Sequence, residues 1–116
     1  MIVGVQGTNN FNNYSIFLRS MAVALSEVGP DDKDFTVYSA GPENINMMAM
    51  EFVNLSERGM KARGKTIKFF KVSPKWLEEN IQSINHFAFL SNPKEHVSKI
   101  VHMSKLNNIN TNVYTF

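Results

Sequence analysis

Apolar and polar positions follow two rhythms along the 116 residues. Ile2, Val3 and Val5 form a short apolar run that breaks at Gly7, the pattern of a buried strand. Over 14–27, Ile16, Phe17, Met21, Ala24 and Leu25 (with Val28 just beyond) recur at near three- and four-residue spacing and predict an amphipathic helix. Asn12 or Asn13 is placed to cap its start, and Gly29-Pro30-Asp31-Asp32 to stop it. A second strand is predicted over 35–38. A second helix follows over 43–57, with Ile45, Met48, Ala49, Phe52, Val53 and Leu55 on its apolar face and Gly59 as C-terminal cap. Strand 66–72 precedes Ser73-Pro74, an N-cap and first-turn proline opening a short helix to about 84. The unbroken apolar run 86–90 suits a central strand covered on both faces. Ser91-Asn92-Pro93 then turns into a helix over 94–106, with Val97, Ile100, Val101 and Met103 inward. A loop over 107–112 leads to a last strand, 113–116.

The alternation predicts an α/β fold: a Rossmann-like three-layer sandwich with a mostly parallel five-stranded sheet, about four helices and right-handed crossovers. One domain over 1–116 is expected from the length. Ligands of such sheets bind at the carboxyl ends of the strands.

Composition narrows the classes further. Hydrophobic residues make up 43% and charged residues 19%, an ordinary globular balance. No apolar run approaches the roughly 20 residues that cross a bilayer, and Met1 leads into a strand rather than a signal segment. No membrane partner is expected, and the expected location is the cytoplasm, or the host cytoplasm for a viral protein. The absence of cysteine excludes disulfides and thiolate metal sites. His86, His96 and His102 lack zinc-site spacing, so neither metal nor cofactor is expected. Fourteen asparagines and seven methionines fit an AT-rich genome, bacterial or viral.

The net charge of +2 hides an uneven distribution, with seven basic residues and no acid between Arg58 and Lys75. Lys61, Arg63, Lys65 and Lys68 within it are the candidate contacts to nucleic acid. The plainer reading is a solvated loop and a strand edge guarded by lysines. Trp76 with Phe69 and Phe70 reads as core rather than as a base-stacking platform.

Two strand-to-helix turns carry the remaining chemistry. Gly7, Thr8, Asn9 and Asn10 follow the first strand; Ser39, Ala40, Gly41, Asn44 and Asn46 follow the second. Both turns fall at the same sheet edge, where backbone N–H groups and helix N-termini suit an anion such as phosphate. Gly7 is expected to let a ligand approach the backbone, and Asn46 to reach a ribose. Glu43 and Glu95 are carboxylates near this edge, each placed to complement a helix dipole.

The segment Gly7-Thr-Asn-Asn-Phe-Asn-Asn-Tyr14 resembles the "glycine, small polar, x, x, Phe, x, x, Tyr" opening of YspA-like proteins. These belong to the SLOG superfamily of Rossmann-like nucleotide-associated domains, with DNA-processing protein A and the "lonely guy" proteins. Val37-Tyr-Ser-Ala-Gly41 with Asn46 and Ala49 is similar to the family's second-strand segment, and 86–90 to its "aspartate, apolar run" strand. The resemblance implies nucleotide binding and homo-oligomers. Ala40 stands where the family has a glycine, and Asn46 where it usually has an acid. Ser91-Asn92-Pro93-Lys94-Glu95 replaces the glycine-rich turn with which the "lonely guy" enzymes bind phosphate and hydrolyse nucleotides.

The expected function is therefore binding of a nucleotide or nucleotide-derived small molecule at the two turns, without hydrolysis. One alternative is a phage or mobile-element interaction protein that sequesters a host protein. The other is nucleic-acid binding through 58–75.

Overall fold

The computed structural model describes residues 1–92 and 97–115. In chain order it contains β1 (Ile2–Gly7), α1 (Tyr14–Leu25), β2 (Asp34–Ser39), α2 (Glu43–Ala62) and β3 (Thr66–Lys71). There follow α3 (Pro74–Glu79), a 3-10 turn (Ile81–Ser83), β4 (His86–Ser91), α4 (Lys99–Leu106) and β5 (Asn110–Thr115). The strands form one sheet in the order β3-β2-β1-β4-β5, and every pairing is parallel. This is the α/β three-layer, Rossmann-like arrangement that the alternation predicts.

Side-chain alternation along the strands divides the interior into two cores. Val3, Val5, Phe35, Val37, Ala88 and Leu90 pack with Phe17 and Met21 of α1 and with Ile45, Ala49 and Phe52 of α2. Phe87 and Phe89 point the other way, onto Leu77, Ile81, Ile100 and Val101. All six residues of β4 are buried, as a central strand requires. The chain builds β1, β2 and β3 outward, then returns to place β4 on the other side of β1. The topological switch point therefore lies between β1 and β4.

Several boundaries differ from the local pattern. Helix α2 runs through Gly59 to Ala62; Gly64, at φ 73°, takes up the left-handed turn after it. Leu55 is 67% exposed, while Asn46 and Met60 are buried in its place on the inner face. Helix α3 stops at Glu79 because Asn80 leaves the helical conformation, its Nδ2 donating to Trp76 O at 2.8 Å. Helix α4 starts at Lys99 with Ser98 as its N-cap, so Val97 lies outside the helix and is 44% exposed. Strand β5 begins at Asn110, inside the expected loop, because pairing with β4 outweighs the poor strand preference of asparagine. Pro93, Lys94, Glu95, His96 and Phe116, with the expectations attached to them, lie outside the described residues. No helix among the described residues is long and apolar enough to cross a membrane.

Candidate functional site

A crevice of about 590 Å³ opens at the carboxyl ends of β1 and β2, on the β2 side of β1. Gly7, Thr8, Asn9 and Asn10 line one side; Ala40, Gly41 and Pro42 line the other. Gln6 and Pro74 complete it, and sequence reasoning had not assigned either. The available signal for Gln6 was a polar residue ending an apolar strand between two glycines.

The first turn is closed against its neighbours. Gly7 N–H donates to Gly41 O at 3.0 Å, and Thr8 N–H donates to Leu90 O at 3.0 Å. A Cβ on Gly7 would lie 2.5 Å from Leu90 O and 2.6 Å from Ile45 Cδ1. The residue is glycine because β4 and α2 close on it, which replaces the expectation that it admits a ligand. Both hydrogens of the Asn44 amide are spent on this turn, donating to Thr8 O at 3.1 Å and Phe11 O at 2.6 Å. Asn44 is thus a brace for the loop. Helix α1 starts only at Tyr14, with Asn13 Oδ1 accepting from Ile16 N–H at 3.1 Å.

The second turn is open. Gly41 adopts φ 85°, and a Cβ there would meet nothing within 4 Å. Pro42 is the N-cap of α2 and offers no side-chain cap. Behind the turn, Ser39 and Asn46 are buried together, with Ser39 Oγ donating to Asn46 Oδ1 at 2.5 Å. Asn46 Nδ2 in turn donates to Glu43 Oε2 at 3.4 Å. This pair ties β2 to α2 beneath the surface, so Asn46 does not present itself to a ribose. Glu43 also accepts from Lys71 Nζ at 3.0 Å. The Lys71 hydrogen bond, then that from Asn46, holds its carboxyl below the usual range.

Three buried side-chain polar atoms among the described residues have no hydrogen-bond partner: Gln6 Oε1, Thr8 Oγ1 and the Tyr14 hydroxyl. Two of the three belong to residues of the crevice. Leaving such an atom unpaired costs about 1–3 kcal/mol, so each calls for an explanation.

The basic stretch divides along different lines. Lys65 Nζ donates to Asp32 O and Gly29 O, holding the α1–β2 loop. Lys61, Arg63 and Lys68 are exposed and have no acidic partner within ion-pair range among the described residues. Strand β3 is an edge strand. Phe69 packs toward the first core, whereas Phe70 on the opposite face is 47% exposed. Tyr38 stacks on Phe70 at 5.5 Å and contacts Trp76 at 4.6 Å between ring centroids.

His86 is buried at the other end of the sheet. Its Nδ1 lies 2.8 Å from Glu27 Oε2, and its Nε2 faces Asn112 Nδ2 at 3.4 Å. Among the described residues no group of three His, Cys, Asp or Glu is placed to hold a metal ion. Comparison of the chain with protein-family models, curated proteins and solved structures finds no match in any of the three.

Proposed function

We propose that the chain binds a nucleotide or nucleotide-derived small molecule in the crevice at the carboxyl ends of β1 and β2, and does not hydrolyse it. The observation that carries this reading is the position of the crevice, at the carboxyl ends of β1 and β2 in a parallel sheet, the edge at which such sheets bind ligands. The open Gly41 turn and the uncapped start of α2 support it. So does the resemblance of the Gly7 and Gly41 segments to SLOG turns. The absence of a glycine-rich sequence after β4 supports binding without turnover.

A thermal-shift panel of nucleosides, nucleotides, dinucleotides and ADP-ribose derivatives tests it. A ligand at 100 times its Kd adds about 2.7 kcal/mol to stability. Failure of the whole panel overturns the reading. Release of free base from nucleoside monophosphates should stay at background. Turnover that disappears in Glu43→Gln or Glu95→Gln would overturn the non-hydrolytic part.

A second reading, single-stranded nucleic-acid binding, is favoured by one observation. Lys68 shares a strand face with exposed Phe70, which stacks on Tyr38. Its test is a gel shift with single-stranded DNA at low and physiological salt. Replacing Lys61, Arg63 and Lys68 with glutamate should remove the shift, and the salt slope should fall by about one per lost phosphate contact. Lys65 is left intact because its amino group holds the α1–β2 loop. No shift at low salt overturns this reading.

A further inference from the structure

We propose that two copies of the chain join through β5, edge to edge and antiparallel, about a two-fold axis at Val113. The inference is independent of the crevice, none of whose lining residues belongs to β5.

The two rims of the sheet are built differently. β3 and β5 are its edge strands, each paired with one neighbour among the described residues. An edge strand carries a row of unpaired N–H and C=O groups that another chain can take up. Charge, proline, a bulge or a covering element prevents this. β3 carries exposed Lys68 and Lys71. β5 reads Asn-Thr-Asn-Val-Tyr-Thr, with no charge, proline or glycine. Its register against β4 runs from Asn110 to Thr115 without a bulge. Its faces are covered, with Ser104 of α4 meeting Thr111 on one side and Tyr114 packing against the first core on the other. Its edge is not: Val113 is 38% exposed, and Asn110 and Thr115 are exposed as well.

The residues of β5 also select a second copy as the occupant. Thr111, Val113 and Thr115 pair with Phe87, Phe89 and Ser91, so they share the α4 face of the sheet. In an antiparallel pair centred on Val113, this valine meets its own copy. Thr111 of each chain then meets Thr115 of the other. Every directly opposed pair on that face is β-branched, the combination that stabilises neighbouring strands. No like charges are opposed, whereas two β3 edges would gather Lys68 and Lys71 of both chains along one seam. The same patch is used by both copies, so the assembly closes at two. Two strand edges bury less than the roughly 1,000 Å² of a stable interface, so the pair is weak and forms as concentration rises.

Sedimentation of the full chain from about 10 μM to about 1 mM tests this. The mean mass should rise from that of one chain toward that of two. Exchange of the outward-facing amides in 111–115 should slow about twofold when half the chains are paired. Val113→Lys sets two like charges against each other at the axis and should hold the mass at one chain throughout. Val113→Thr keeps a β-branched, uncharged residue there and should keep the dimer. Thr115→Lys, at an exposed position, should also prevent pairing and serves if Val113→Lys does not fold. Leu55→Lys adds the same charge at an exposed site on α2 and should leave the dimer intact. A mass that stays at one chain up to about 1 mM overturns the inference. So does a dimer that survives in the folded lysine variants of β5, growth beyond two chains, or pairing without slower exchange in 111–115.

Discussion

The turns after β1 and β2 look alike as sequence and behave differently as structure. Each leaves a parallel strand through glycine and enters a helix on the same core. Yet the first is closed at its start: the Gly7 and Thr8 N–H groups are spent on Gly41 and Leu90, Gly7 is pressed against a carbonyl, and Asn44 braces the turn from the neighbouring helix. The second stays open, with a left-handed glycine bordered by empty space and an uncapped helix start. Both strands are internal, so strand order alone does not make the contrast. It lies in what reaches each glycine: Leu90 O and the Ile45 side chain close on Gly7, whereas nothing comes within 4 Å of a Cβ on Gly41. A glycine can thus mark a place where the protein touches itself or a place where the backbone turns with nothing packed against it.

Four substitutions break or sharpen this contrast. Gly7→Ala has the largest effect: a Cβ 2.5 Å from a backbone oxygen cannot be relieved by a side-chain rotation. Urea unfolding should show a loss of about 3 kcal/mol; a loss below about 0.5 kcal/mol would mean the turn is not sealed as described. Asn44→Ala removes two hydrogen bonds to loop carbonyls and should cost about 2 kcal/mol. Faster amide exchange in 8–13 should accompany it, and unchanged exchange there would separate Asn44 from the loop.

At the open turn, Gly41→Asn should cost less than about 1 kcal/mol, since asparagine tolerates a positive φ and the added atoms meet open space. The same variant should abolish binding in the crevice. Retained affinity in the folded variant would place the ligand elsewhere.

The smallest effect concerns Glu43. Its folded-state pKa is depressed, so the stability it contributes is present above the unfolded carboxylate range and is lost as pH falls through the lower folded value. Because the group is exposed, the effect is modest and salt-sensitive. Glu43→Gln should flatten the acid limb of a melting-temperature profile slightly. An unchanged limb would show that Lys71 contributes nothing there.

Much of the fold was legible because it depends on neighbours in the chain. The three- and four-residue spacing located α1 and α2, and the unbroken run 86–90 announced a strand buried on both faces. Asn13 and Ser73 cap the helices they precede, since a cap reads only the next few residues. Residues whose partners lie far away were harder to read. Asn44 and Asn46 sit in one polar turn, but a bond to Phe11 makes one a loop brace and a bond to Ser39 buries the other. Lys65 looked like any other residue of a basic run until its amino group met the carbonyls of Asp32 and Gly29. Gln6 carries no local signal of its environment, since nothing in the nearby sequence shows that its oxygen will be buried without a partner.

By itself the sequence determined which segments are strands and helices, that β4 is central, and that no cysteine takes part in holding the molecule together. Those properties follow from periodicity, turn residues and composition, which act over a few positions. The tertiary structure decided the strand order, the burial of Asn46, and which glycine turn is shut and which stands open. These depend on crossovers that bring β4 and α2 against β1, and a contact between Gly7 and Leu90 exists only once the sheet has formed.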